Sequence, residues 1–368
     1  MIQKAARCLV VLAAALAAVA PASLLADDSA AAIAAGGLVP RRETRIVMAK
    51  EVLRIGEKKV IVDYDFRNDT DQDVTTEVAF PIPPYTNEFA TGPALEEQSF
   101  RSFKLWVDGK PVDFGSEATA TLNGKNVTAV LKANHIDIST FGHFIDKVDS
   151  KHLEAIDSPD FNRLPKNKRD ELVKVGIFES DTPSWGRWTV HLQYHWTQTF
   201  PAHSTVRIRH EYSPVVGFSF MTVESLQVAL DPGTKKKDAS RWKDSGADVI
   251  TGFCADPDIL QGLIRRFNES TNPRGAGIFY PRWVDFILTT ANTWQPPIED
   301  FTLIIERPRP ENDRKTLVSF CSPQDGKVEK LDADHFQVHL TNFVPTSELH
   351  IGFFDVPVGK PAKPAAKK

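Results

Sequence analysis

The sequence predicts a mainly β protein made of two β-sandwich-like domains. Three observations carry this expectation. Apolar and polar residues alternate with a period of two over long stretches, which marks half-buried strands. Turn signals such as Asp108-Gly109 and Asn123-Gly124 recur at short spacing. The 25 prolines and 23 phenylalanines, with many β-branched residues, favour strands over helices.

The elements follow in chain order. Asp27 to Leu38 is alanine-rich and reads as a short helix or an ordered arm. In the next segment Val60, Val62, Tyr64 and Phe66 share one strand face, while Lys59, Asp63, Asp65 and Arg67 share most of the other. Val74, Thr76, Val78 and Phe80 repeat the pattern, and Asn68 to Asp73 supplies turn chemistry, so the two runs read as a hairpin. Pro81, Pro83 and Pro84 cannot donate to a ladder and end the second strand. Further hairpins are expected around Val107-Asp108-Gly109 and, over Thr119 to Leu131, around Asn123-Gly124. Residues 134–182 are polar and broken by prolines, with a helix expected after Pro165 and ending at Gly176; they read as an insertion over the β core or its rim.

Strands resume at Trp188. Val190, Leu192, Tyr194 and Trp196 face one way, and Val206, Ile208, His210 and Tyr212 continue the apolar face after a turn at Phe200 to His203. Met221 to Leu230 reads as one more strand, and Thr234 to Asp248 as a charged boundary. A helix over 257–268 opens the second domain. Asp256 is its N-cap, Pro257 its first residue, and Ile259, Leu260, Leu263, Ile264 and Phe267 its apolar face. Strands are then expected at Val284–Trp294, Phe301–Arg307, Thr316–Cys321, Phe336–Leu340 and Leu349–Phe354. The expected domains are therefore 27–230, with the partly helical insertion 134–182, and 249–356. Residues 357–368 are a Lys/Pro/Ala tail expected to be disordered.

Residues 1–26 read as a secretory signal peptide: Lys4 and Arg7, then the apolar run Val10–Ala20, then small residues up to Ala26. Cleavage is expected after Ala26, with Ala22 as the alternative. The apolar run is too short to span a bilayer, so no stable membrane insertion is expected after cleavage. An uncleaved anchor is the competing reading. Removal of residues 1–26 takes two of the 44 basic residues and none of the 48 acidic ones, leaving a net charge of −6. That balance argues against nucleic acid as a partner. The expected location is periplasmic or secreted.

Two cysteines remain, Cys254 and Cys321. In an oxidising compartment such a pair is expected to form a disulfide, closing a loop of about 66 residues. A reactive thiol at Cys254, ahead of a helix start, is the alternative.

No catalytic, cofactor or metal signature stands out. His191 and His195, like His335 and His339, are four apart. On a helix such pairs could share one ion. In strands they lie about 13 Å apart at ~3.3 Å per residue, too far for zinc–nitrogen bonds of ~2 Å. His210 sits on an apolar face and reads as a core residue. Gly-x-Ser-x-Gly and phosphate-cradling glycine loops are absent. Of the tryptophans, Trp188 and Trp196 fall on the apolar face; Trp185, in a loop between Ser184 and Gly186, is the candidate ligand contact.

Several segments resemble the bacterial DUF4424 family: "ADDSAAAIAAGGLV" after the signal peptide, "VAFPIPP", "YHWTQTFPA", "RHEYSPVVG", and "PIEDFTLIIERP" leading to "VSFCSP". The resemblance covers essentially the whole mature chain except its tail. It implies an exported bacterial protein and no particular reaction. The strand–Asn–strand–Phe-Pro stretch is also similar to the VIT-type β modules, a fold-level analogy that implies a non-catalytic scaffold.

Three functions follow as expectations. The first is a non-catalytic exported protein that binds an envelope partner or acts as an assembly module, for example through an exposed sheet edge. The second is a carbohydrate or small-ligand binder using Trp185 and the 134–182 insertion. The third is a hydrolase with a cross-strand histidine site around His203 and His210. Oligomeric state is left open.

Overall fold

The structure is a computed structural model that describes residues 29–34, 37–86, 90–91, 102–139, 143–144, 156–180, 186–219, 221–231, 245–268, 278–310 and 314–357, with five scattered positions between 233 and 242. The signal-peptide and tail readings, and Trp185, lie outside the described residues. The protein is mainly β, with three larger sheets. A nine-stranded sheet has Glu43–Ile55, Val60–Asn68 and Ser204–Tyr212 at its centre, flanked by Ile298–Glu306 and His335–Phe343 on one side and Lys104–Val107 on the other. A six-stranded sheet runs in the order Lys125–Asn126, Gly115–Leu122, Thr189–Phe200, Val74–Pro81, Ser29–Ala34, Gly37–Pro40. A five-stranded sheet is ordered Arg314–Phe320, Leu349–Pro357, Arg282–Phe286, Val216–Phe218, Ala90–Thr91.

The two alternating runs at 60–68 and 74–81 are not a hairpin. The first pairs with Glu43–Ile55 and Ser204–Tyr212; the second pairs with Ser29–Ala34 and Thr189–Phe200. The polar loop is thus an arch between two sheets. Asn68 fixes it: its amide donates to the carbonyls of Gln72 (2.8 Å) and Phe200 (2.9 Å), and its Oδ1 accepts from the Thr70 N–H and hydroxyl. Thr189–Phe200 and Ser204–Tyr212 form a second arch, with His203 at a φ of 50° in the turn. Both arches aim their apolar faces at each other. Phe66 meets Phe200 at 5.7 Å between ring centroids and Trp294 at 4.8 Å, and Phe80 meets His210 at 4.8 Å. Each such large side chain removed from water stabilises the fold by roughly 2 kcal/mol.

The expected boundary at 234–248 does not separate the sheets. Ile298–Glu306 runs parallel to Glu43–Ile55, so the nine-stranded sheet takes strands from both sides of it. One continuous core includes Val62, Phe80 and Trp196 together with Leu303, Phe286 and Phe353. The five-stranded sheet contributes one face to this core. Its other face carries Phe354 and Val356 against Leu226, Ile250, Leu260, Leu263 and Phe267 of three helices, Val223–Leu230, Ala247–Gly252 and Pro257–Asn268. The last begins as the sequence predicts, with the Asp256 carboxylate accepting from the Ile259 N–H at 2.7 Å.

Three local expectations are corrected. Met221–Leu230 is a strand for two residues only; Thr222 and Ser225 then form a reciprocal capping box that starts a helix, and Leu226 and Val228 are buried at helical spacing. The hairpin at Asn123-Gly124 has the expected turn, with φ of 50° and 75°, but its return strand is Lys125–Asn126 alone before the helix Thr128–Ala133. The strand expected over Val284–Trp294 ends at Phe286, because the Glu348 carboxylate accepts from the Leu288 and Thr289 N–H groups and opens a short 3-10 turn. The alanine-rich arm forms a strand, Ser29–Ala34, that pairs with Val74–Pro81.

Candidate functional site

The insertion helps to form a concavity. After Pro165 the helix Lys166–Lys174 forms and stops at Gly176, whose φ of 78° suits a residue without a Cβ. Leu172 and Ile177 are buried under it. Phe178 packs against Phe161, tilted at 31° with ring centroids 4.1 Å apart, and meets Trp188 at 5.5 Å, and the Trp188 indole donates to the Ile138 carbonyl at 2.9 Å. The Tyr85 hydroxyl donates to the Ser139 carbonyl at 2.8 Å. These contacts fasten the insertion to the six-stranded sheet.

Between that helix, the Asn123-Gly124 hairpin and the helix Thr128–Ala133 lies an open groove of ≈ 430 Å³. This is within the range of ligand sites. Leu122, Val127, Leu172 and Ile177 give it apolar walls. Val130 and Val175, on its rim, are 41% and 58% exposed. Lys125, Lys168 and Glu171 are its charged lining; Lys168 and Glu171 pair at 2.9 Å.

A smaller notch of ≈ 130 Å³ forms where the "FPIPP" segment meets the five-stranded sheet, lined by Pro83, Pro84, Tyr85, Gly217, Trp283 and Asp285. A Cβ at Gly217 would overlap the indole of Trp283. Gly217→Ala is therefore expected to lower stability by about 1–3 kcal/mol and to displace the indole. Urea unfolding followed by tryptophan fluorescence measures both.

The cysteines and the candidate histidines singled out from the sequence do not line this groove. Cys254 and Cys321 form a disulfide, with Cα atoms 5.0 Å apart, at the end of the Arg314–Phe320 strand. His210 is fully buried among Tyr64, Phe80, Phe103 and Trp196, and burial lowers its pKa to about 3. His203 is in the second arch, its side chain 64% exposed and bonded to Asp71 at 2.8 Å. The structure thus does not bring His203 and His210 to one site. The four histidines of the two spaced pairs lie on strands and each has its own partner: Thr121 for His191, Glu77 for His195, Asp332 for His335, Asp300 for His339. Among the described residues no group of three or more His, Cys, Asp or Glu is placed to hold a metal, and no helix is long and apolar enough to cross a membrane. The groove residues themselves escaped the sequence reading. The signals were Val175, an apolar residue at an exposed helix end, and the Asn123-Gly124 turn.

The geometry defines a mainly β scaffold with an attached groove. The chain belongs to the family described as "Domain of unknown function (DUF4424)", whose signature matches residues 26–351. No curated protein matches it. Among solved structures it is similar to a Legionella pneumophila protein titled a "putative nutrient binding protein", at 13% identity and a TM-score of 0.38, over 90% of this chain and 70% of that one. A likeness this slight carries nothing across.

Proposed function

We propose that this chain is an exported, non-catalytic binding protein that holds an envelope component in the groove lined by its 122–134 and 168–177 segments. The groove carries the reading: it is open, apolar-walled, and fastened to the sheet by the Phe161–Phe178–Trp188 contacts. The Cys254–Cys321 disulfide supports an oxidising compartment. Carbohydrate binding through loop aromatics is less favoured, because among the described residues no aromatic side chain lines the groove. Site-specific photo-crosslinking in the native envelope tests the proposal. A photoreactive residue at Val175 is expected to trap a discrete adduct that the same residue at Val344, also an exposed valine at 39%, does not. Identical patterns from both positions, or none from Val175, would reject the groove as the site.

A further inference from the structure

Building on that reading, we infer that the occupant of the groove is an extended peptide segment of a partner protein, with alternating apolar and acidic side chains. The first argument is topological. Lys125–Asn126 is the edge of the six-stranded sheet, and the groove lies between it and the helix Lys166–Lys174. The Val127 N–H donates inward to the Ala120 carbonyl at 2.9 Å. By antiparallel alternation Asn126 turns its own N–H and C=O outward. A strand added there points every second side chain over Leu122, Val127 and Leu172. The edge is only two residues long, so side-chain burial rather than ladder bonding must carry most of the affinity.

The second argument is shape. Val130 and Val175 stand exposed along the rim. An acyl chain laid in so open a groove would keep much of its surface in water, whereas a peptide needs one apolar side and tolerates a wet one.

The third is charge. The carboxylates of the insertion helix are already engaged: Asp170 with Lys166 at 2.7 Å, Glu171 with Lys168 at 2.9 Å. Lys125 at the groove, and Lys132 and Lys174 on the flanking helices, make no ion pair among the described residues. In a chain with a net charge of −4 this is a local cationic rim, which attracts acidic side chains.

The test is fluorescence anisotropy on the full mature chain with a labelled peptide of alternating valine or leucine and glutamate, its lysine-for-glutamate counterpart, and dodecanoate as competitor. The glutamate peptide is expected to bind saturably and more weakly at high salt. Val175→Glu and Lys125→Glu are each expected to weaken it about tenfold or more, while Val344→Glu leaves it unchanged. Equal affinity for the lysine peptide, or no saturation at millimolar glutamate peptide, overturns the inference. Dodecanoate binding that is lost in Val175→Glu, without peptide binding, overturns the peptide assignment and leaves the groove as a ligand site. Photo-crosslinks absent from Val175 reject the groove itself.

Discussion

Acidification from about pH 6 to about pH 4.5 is expected to lower the unfolding free energy by about 2 kcal/mol through His210 alone. The side chain is fully buried, its imidazole enclosed by the rings of Tyr64, Phe80, Phe103 and Trp196. Burial disfavours the charged form and lowers the folded pKa from 6.5 to about 3. Within this window the folded state keeps His210 neutral while the unfolded chain takes up a proton. The unfolded state therefore binds more protons, and stability falls with falling pH at a limiting slope of about 1.4 kcal/mol per pH unit. The contribution is complete above pH 6.5 and is lost progressively down to about pH 3.

Most other shifted groups act outside this window or weakly within it; Glu57, whose carboxyl burial raises above 4.5, acts inside it with the opposite sign, and its share is common to wild type and variant. Asp285, 2.8 Å away, raises the pKa of His350, so that pair's contribution is full below 6.5 and fades at higher pH. Ion pairing with Arg45, Lys59 and Arg67 lowers Glu43, Glu211 and Glu299, whose contributions hold above 4.5 and decline below it. Burial also lowers His191, with the same sign as His210, but that ring is half-buried. The measurement is urea unfolding of the wild type and His210→Gln across the window. Whatever the variant loses at neutral pH, its slope is expected to be smaller by most of the His210 share. Parallel slopes would show that His210 is solvated in the folded protein.

The same residue shows what the sequence makes legible. Period-two alternation gives a strand and the face it buries, so His210, Trp188 and Trp196 are readable as interior. Alternation says nothing of which strand lies alongside. Val60–Asn68 and Val74–Pro81 therefore read as a hairpin, although a loop of identical turn chemistry serves an arch equally well. The parallel pairing of Ile298–Glu306 with Glu43–Ile55 links residues about 250 positions apart and leaves no local trace. Val223–Leu230 was ambiguous for another reason: in a short apolar run the helical and strand periods coincide at several positions, and the Thr222–Ser225 capping box decides it. The groove is the least legible feature. It is assembled from a turn, a six-residue helix and a nine-residue helix, and none of them alone carries a binding pattern.

Loss of the Cys254–Cys321 bond is expected to cost roughly 4 kcal/mol, the larger of these two effects. The pair was readable because, once the expected signal peptide and its Cys8 are set aside, two cysteines remain and they have one pairing. Its consequences depend on where the bond sits. The cysteines are 67 residues apart, and the loop between them holds the helix Pro257–Asn268 and the strands Arg282–Phe286 and Ile298–Glu306. Reduction frees that loop in the unfolded chain, which is where the entropic cost arises. In the folded chain the join is reinforced: the Ser319 hydroxyl donates to the Phe253 carbonyl at 2.8 Å, and Phe253 packs against Phe354. Phe253 and Phe354 belong to the helix-covered cluster of the five-stranded sheet, whereas the groove is lined by the Asn123-Gly124 hairpin of the six-stranded sheet and by the helices Thr128–Ala133 and Lys166–Lys174. A Cys254→Ser/Cys321→Ser variant is therefore expected to lower the urea midpoint sharply. Hydrogen exchange should rise first in the Ala247–Gly252 and Pro257–Asn268 helices, while the helix Lys166–Lys174 keeps its protection until global unfolding. Simultaneous loss of protection in both regions would mean that the helical layer and the β core unfold as one cooperative unit, with no separate opening of the layer that the disulfide pins.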